Sequence, residues 1–279
     1  VARISIIVPC HNYGRFLPEA LESLDAQTRP PDEIVIVDDG STDDSLAVAQ
    51  AYGRDRPDVV VLTRTPATGV VRAVADGVAA STGDLFAMLS ADDRFSPTYL
   101  EAGERRLADP SIDFTWTATH QFGAFDRWRP AVDEVTERSI ARRNRIHASG
   151  LMRRSLWDRL GGYSPVFESL GCEDWEYWVH ALGTGSHGEP VHGCHLEWRR
   201  HRSGSRNSLD LLRVIRVQWA LHQRHPDVVR RRDVVLGVLP NIAAFGGAWA
   251  RTQLGTGLRP AGGGCRWRGR EPRPPGCPG

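Results

Sequence analysis

Asp32-Glu33-Ile34-Val35-Ile36-Val37-Asp38-Asp39-Gly40-Ser41-Thr42-Asp43 is the stretch that decides the fold. Its centre, Ile34 to Val37, is an unbroken β-branched run, the pattern of a strand buried on both faces. Two carboxylates follow at once. Ser41-Thr42-Asp43-Asp44 then matches a capping box, predicting a helix that stops near Gly53. A buried strand that ends in acid and turns into a helix is the repeating unit of a parallel sheet covered on both faces.

The alternation extends both ways. Upstream, Ile4 to Val8 reads as a buried strand. Phe16, Leu17, Ala20, Leu21 and Leu24 form the apolar face of a helix that tolerates Pro18 in its first turn. Downstream come a strand over Val59 to Leu62, a helix over Val70 to Ala80 and a strand over Leu85 to Leu89. Ser96-Pro97 then reads as an N-cap and first helical position, opening a helix to about Leu107. The expected fold is α/β: a nucleotide-binding, mostly parallel sheet flanked by helices, with ligands at the carboxyl ends of its strands. Beyond Asp113 the pattern is mixed. Glu173 to Leu182 reads as a helix and Val191 to Trp198 as a strand, while residues 208–250 look helical in patches. From about Thr252 the chain is rich in Gly, Pro and Arg, the composition of a disordered tail. The expected organisation is a domain over 1–205, with a donor half to about 112 and an acceptor half from 113, then a helical extension over 206–251 and the tail over 252–279.

Composition narrows the function. Of 279 residues, 41% are hydrophobic and 25% charged, enough to bury a core. A formal net charge of +1 offers no basic footprint and argues against a nucleic-acid partner. Every basic residue is Arg, which points to a GC-rich coding sequence more than to a function. Cys10, Cys172, Cys194, Cys265 and Cys277 are odd in number and show no framework, so reduced cytosolic thiols are expected. Ile4 to Pro9 is too short for a secretory leader. Val234 to Ala250 is interrupted by Pro240 and Asn241, which argues against a membrane span. The expected location is the cytoplasm, with peripheral contact at the inner face of the membrane left open.

Four clusters carry chemistry. Asp38-Asp39 can accept hydrogen bonds from a base or ribose; equally, they can order the turn while Ser41 caps the helix. Leu89-Ser90-Ala91-Asp92-Asp93 offers hard oxygen ligands for Mg²⁺ or Mn²⁺, ions that neutralise a departing diphosphate. The alternative, an exposed acidic turn, is weakened by the other Asp pair at the same edge. Glu173-Asp174 opens a helix, where the dipole favours carboxylates for structural reasons and would also keep a general base ionised. Trp198-Arg199-Arg200-His201-Arg202-Ser203 can grip a diphosphate or form a solvated basic loop. His187, His192, Cys194 and His195 are dense enough for zinc, but neighbours on a strand face opposite sides, which argues against one shared ion.

Together these stretches resemble family 2 of inverting glycosyltransferases with the GT-A fold. The match runs through Val8-Pro9-Cys10-His11-Asn12-Tyr13, Leu21-Glu22-Ser23-Leu24, Gln27-Thr28 and the opening stretch. It continues through Gly83-Asp84 into Leu89 to Asp93, Gly161-Gly162-Tyr163, Glu173-Asp174-Trp175-Glu176 and the Arg199-x-His201 element, covering roughly residues 3–205. The resemblance implies a nucleotide-diphospho-sugar donor of the UDP type. It implies Pro9 and Asp39 near the base, Asp92 near the ribose and Asp93 on Mn²⁺ or Mg²⁺. Asn12, Asp38, Arg199 and His201 are expected on the donor side too. Asp174, with Glu173 beside it, is the implied base for an acceptor hydroxyl on a glycan, a lipid-linked molecule or a small molecule, in polysaccharide biosynthesis. Two departures stand out: Ser90 where the family often has Asp, and Ala75 where it commonly has Asn. They keep open a second reading, a non-catalytic sugar-nucleotide-binding or scaffold member. A nucleotidyltransferase would want a Lys-containing, Gly-rich phosphate loop, and the chain has no Lys.

Overall fold

Seven consecutive buried residues, Glu33–Asp39, form the strand β2 at the heart of the sheet, with neighbours on both edges and helices on both faces. The computed structural model describes residues 2–201 and 211–239. Before β2 come β1 (Ile4–Cys10) and α1 (Leu17–Asp25). After it come α2 (Ser45–Gly53), β3 (Val59–Arg64), α3 (Val70–Ala80) and β4 (Leu85–Met88). The order β3-β2-β1-β4 is parallel throughout. Alternation along each strand divides the core. Val35 and Val37 pack toward α3, while Ile34 and Ile36 pack with Leu17, Leu21 and Leu24 of α1.

Next along the chain are β5 (Arg94–Phe95), α4 (Tyr99–Arg106), β6 (Phe114–Gly123), β7 (Arg127–Arg129) and α5 (Glu137–Ile140). The rest comprises β8 (Met152–Arg153), α6 (Arg154–Leu160), α7 (Glu173–Gly183), β9 (Gly188–Arg200) and α8 (Leu211–Arg224). The sheet continues as β4-β8-β6-β9-β5, with β7 on β6, for nine strands in all among the described residues. Here β8 runs antiparallel to both neighbours, β6 and β9 are parallel, and β5 is antiparallel to β9. The sequence pattern resolved none of β5 to β8. Two of them are two-residue strands, too short for a period, and β7 is exposed throughout.

Two helix starts differ from expectation. Ser41 does not cap α2, which begins at Ser45 without a side-chain cap on Asp44. Asp43 serves that turn, accepting the Ser45 and Gly14 N–H groups at 3.0 Å each. Ser96 does not cap α4 either; its hydroxyl accepts the His195 N–H at 2.9 Å and ties the loop to β9.

α8 and a further helical segment over 231–239 contribute to the core that contains α7. Val217, Leu221 and Val229 share a core with Tyr177 and Trp178 of α7. Buried Glu176 accepts hydrogen bonds from Arg224 at 3.1 Å and His225 at 2.7 Å. The expected tail from 252 lies outside the described residues, as do Arg202 and Ser203. No described helix is long and apolar enough to cross a membrane. Cys10, Cys172 and Cys194 are unpaired thiols, pushed up to about 11, 12 and 11 chiefly by burial.

Candidate active site

A cleft of 230 Å³ opens where β6 and β9 end, lined by Phe16, Gly123, Ala124, Arg199, Arg200 and His201. Asn12 knits the first two loops together from a left-handed backbone (φ 59°) that Asn tolerates better than most residues. Its N–H donates to Ser41 Oγ at 3.0 Å and its Oδ1 accepts the Thr42 N–H at 2.8 Å. Pro9 sits half-buried one residue before the end of β1, opposite Val37.

The two Asp of β2 have different environments. Asp39 is saturated by backbone: Oδ1 accepts the Thr68 N–H at 2.9 Å and Oδ2 the Gly69 N–H at 2.7 Å. It therefore pins the loop leading into α3. Gly69 has φ 97°, a left-handed conformation that a side chain would strain. Asp38, 3% exposed, accepts the Ser41 N–H at 3.2 Å through Oδ2, while its Oδ1 is buried with no hydrogen-bond partner.

The pair after β4 is also divided. Asp93, expected on the metal, is buried and accepts the Arg199 N–H at 2.8 Å. Burial and then the charge of Asp92 push its carboxyl above the ordinary range. Asp92, expected near the ribose, faces His201, with Oδ2 2.7 Å from Nε2. Tyr13 stacks on the His201 ring at 6.0 Å, and Phe16 tilts against it at 5.3 Å. Arg199 is held by its own protein: Nε donates to the Asp92 carbonyl at 2.9 Å and Nη2 to Glu19 at 2.6 Å. Arg200 lies over Trp198 at 4.4 Å, and its buried Nε has no partner.

Asp174 stands in the first turn of α7. Its Oδ2 accepts from Asn144 Nδ2 at 2.9 Å and its Oδ1 from the Trp175 N–H at 2.8 Å. Burial first, then the negative charge of Glu173, push its carboxyl up to about 7, and these outweigh the hydrogen bonds that favour ionisation. The helix dipole was expected to keep Asp174 ionised; desolvation dominates instead. Cys172 immediately before α7 has φ 65°, a strained conformation for Cys worth about 1–3 kcal/mol. The stretch before α7 is tied to α3 through Glu168, whose Oε2 accepts the Val71 N–H at 2.7 Å in the first turn of that helix.

The chain matches the family described as Glycosyl transferase family 2 over residues 5–167. It belongs to that family. It is 30% identical over 186 residues to a PGL/p-HBAD biosynthesis glycosyltransferase of Mycobacterium tuberculosis, covering 64% of this chain and 70% of the relative. It is also 30% identical over 240 residues to the succinoglycan biosynthesis protein ExoU of Rhizobium meliloti, covering 78% and 69%. Among solved structures, S. aureus TarS in complex with UDP-GlcNAc superposes with a TM-score of 0.67 at 17% identity, covering 81% of this chain and 70% of TarS. The mannosyltransferase PcManGT of Pyrobaculum calidifontis, in complex with GDP-Man and Mn²⁺, gives 0.64 at 19% identity over 92% and 79%. The fold is therefore GT-A, and this chain is a glycosyltransferase.

In this glycosyltransferase, Pro9, Asn12, Asp38, Asp39, Asp92, Asp93, Arg199 and His201 gather at one end of the sheet. Asp174 and Glu173 lie on a separate element. Sequence reasoning missed Glu19, Asn144 and Glu168. Each acts on a residue far away in the chain, and no local pattern signals such a partner. The His187, His192, Cys194 and His195 set is dispersed: Cys194 is buried, and His187 and His192 lie near Glu189 and Asp133 instead.

Proposed function

We propose that this family 2 glycosyltransferase moves a sugar, with inversion, from a nucleotide-diphosphate donor to an acceptor hydroxyl, with Asp174 as general base. The observation that carries the reading is the environment of Asp174, a carboxyl raised to about 7 and held by Asn144. A base tuned near the working pH takes a proton most effectively in the transition state. Solved neighbours of the same fold bind UDP-GlcNAc and GDP-Man. The family resemblance favours UDP here. Asp38 Oδ1, buried without a partner, is an acceptor suited to a base N–H.

A divalent ion fits this site. Asp92 lies beside the cleft, 2.7 Å from His201, and its carboxylate is a hard oxygen ligand of the kind that binds Mn²⁺ or Mg²⁺ together with diphosphate oxygens. When bound, the ion supplies charge neutralisation for the leaving diphosphate. Asp92 would hold it. Asp93, which the family resemblance puts on the metal, also holds the start of the Arg199 to His201 segment through Oδ1. Arg200 lines the cleft and could place its guanidinium against the diphosphate. The acceptor, whether glycan, lipid-linked or small molecule, approaches α7.

The test is Asp174→Asn. Turnover, followed as UDP release in Mn²⁺, should fall by about 10²–10⁴-fold while UDP affinity by calorimetry stays within a factor of two or so. Full turnover in the variant overturns the base assignment. Donor binding without metal-dependent UDP release in the unaltered protein would favour the scaffold reading that Ser90 and Ala75 suggested.

A further inference from the structure

Beside the donor cleft, four strands present a row of side chains on one face. Trp128 of β7 is registered with His120 of β6, His120 with Glu197 of β9, and Glu197 with Arg94 of β5. His195, two residues before Glu197, projects on the same face. A register shift between Thr117 and Ala118 sets His195 opposite Ala118 and so brings it level with this row. One nitrogen of His120, one nitrogen of His195 and one Glu197 oxygen all lie within 4.8 Å of one another. His120 Nδ1 is 3.8 Å and His195 Nε2 4.0 Å from Glu197 Oε1. These separations are too long for hydrogen bonds. Three ligand atoms thus face a common centre without bonding to each other.

We propose that His120, His195 and Glu197 form a zinc site that clamps the β6–β7 hairpin to β9. Tetrahedral bonds of about 2.0–2.1 Å place ligand atoms about 3.3 Å apart, so small side-chain rotations close the set. Two imidazole nitrogens with one carboxylate suit Zn²⁺ better than the oxygen-seeking Mg²⁺ or Mn²⁺. The surroundings match what a metal-bound histidine needs. His120 Nε2 lies 2.9 Å from Asp126 Oδ1, a contact that holds the proton on Nε2 and leaves the Nδ1 lone pair for the ion. Arg94 Nε occupies Glu197 Oε2 at 2.6 Å and leaves Oε1 for the centre. Trp128 stacks on His120 at 4.6 Å and meets His195 edge-on at 4.7 Å, walling one side. Neither Asp92 nor His201 belongs to the set, so this ion is distinct from one at the donor diphosphate. Gly123, the last residue of β6, and Ala124 after it line the cleft. Zinc here would fix that rim.

Metal-stripped protein is titrated with Zn²⁺ by calorimetry, alongside Asp92→Asn, which removes the donor-side pair. Asp92→Asn should bind one equivalent, and the unaltered protein should show the same event. His120→Ala, His195→Ala and Glu197→Gln should each weaken that event by at least about 100-fold, and Asp126→Asn by about 10–100-fold. Circular dichroism checks that each variant is folded; the ligands lie on two strands, so loss of one variant to misfolding leaves the others decisive. Co²⁺ in place of Zn²⁺ should show four-coordinate visible bands that the ligand variants lose. No Zn²⁺ uptake by the unaltered protein overturns the proposal. So does uptake abolished by Asp92→Asn but indifferent to changes at His120, His195 and Glu197.

Discussion

Asn144 illustrates how one neutral side chain sets the working range of another residue. Its amide donates to Asp174 Oδ2, a bond that favours the ionised carboxylate against burial and the charge of Glu173. A base acts only when deprotonated, so kcat for the proposed reaction should rise with pH through about 7. Asn144→Ala removes the bond and moves the carboxyl further up. The acid limb of the kcat profile should shift to higher pH while UDP affinity is unchanged. An unshifted limb would separate Asn144 from the base. Asp174 was legible in the sequence through its motif. Asn144 was not: it lies 30 residues away, in a stretch without apolar period.

At the scale of elements, the loop between β3 and α3 is held by a carboxylate from another strand. Asp39 accepts the Thr68 and Gly69 N–H groups, so α3 starts where β2 ends. Asp39→Ala leaves both donors without their partner and should cost about 1–3 kcal/mol. Urea unfolding should show a lower midpoint with an unchanged slope. A wild-type midpoint would mean that the loop holds itself. The strands β1 to β4 and the helices between them were readable because each is long enough for its period to repeat. Helix starts were less so. Ser, Thr and Asp all cap helices, and in Ser41-Thr42-Asp43-Asp44 it is Asp43 that takes the turn while Ser41 serves Asn12.

Over the whole molecule, Glu176 fastens the end of α8 to α7. Burial alone would raise its carboxyl, but the hydrogen bond and charge of His225, then those of Arg224, hold it below the usual glutamate value. A depressed folded-state value means stability that is present above about 4.5, the unfolded glutamate value, and is lost as pH falls through the folded one. Between about pH 5 and pH 3, the melting temperature of the unaltered protein should therefore fall further than that of Glu176→Gln, which should be less stable at pH 7 by about 1–3 kcal/mol. Parallel falls would show that Glu176 contributes nothing to the acid sensitivity.

The order of buried strand, acidic turn and helix was determined by the sequence alone. β-branched runs bury themselves on both faces wherever they fall, and carboxylates that follow such runs must lie at one end of a parallel sheet. That is enough for the GT-A sheet and for the acidic pairs at its carboxyl end. Which oxygen does what was decided only by the tertiary structure. Asp92 and Asp93 are equivalent in sequence, yet the backbone N–H of Arg199 takes Asp93 and leaves Asp92 facing His201. Asp38 and Asp39 divide in the same way, one with an unpartnered oxygen and the other closed by Thr68 and Gly69. Adjacent strand residues point to opposite faces, and each face meets partners that are remote in the chain. The pairing of β6 with β9 that gathers His120, His195 and Glu197 is of that kind. It depends on a register shift, and register is set by the packing of the whole sheet.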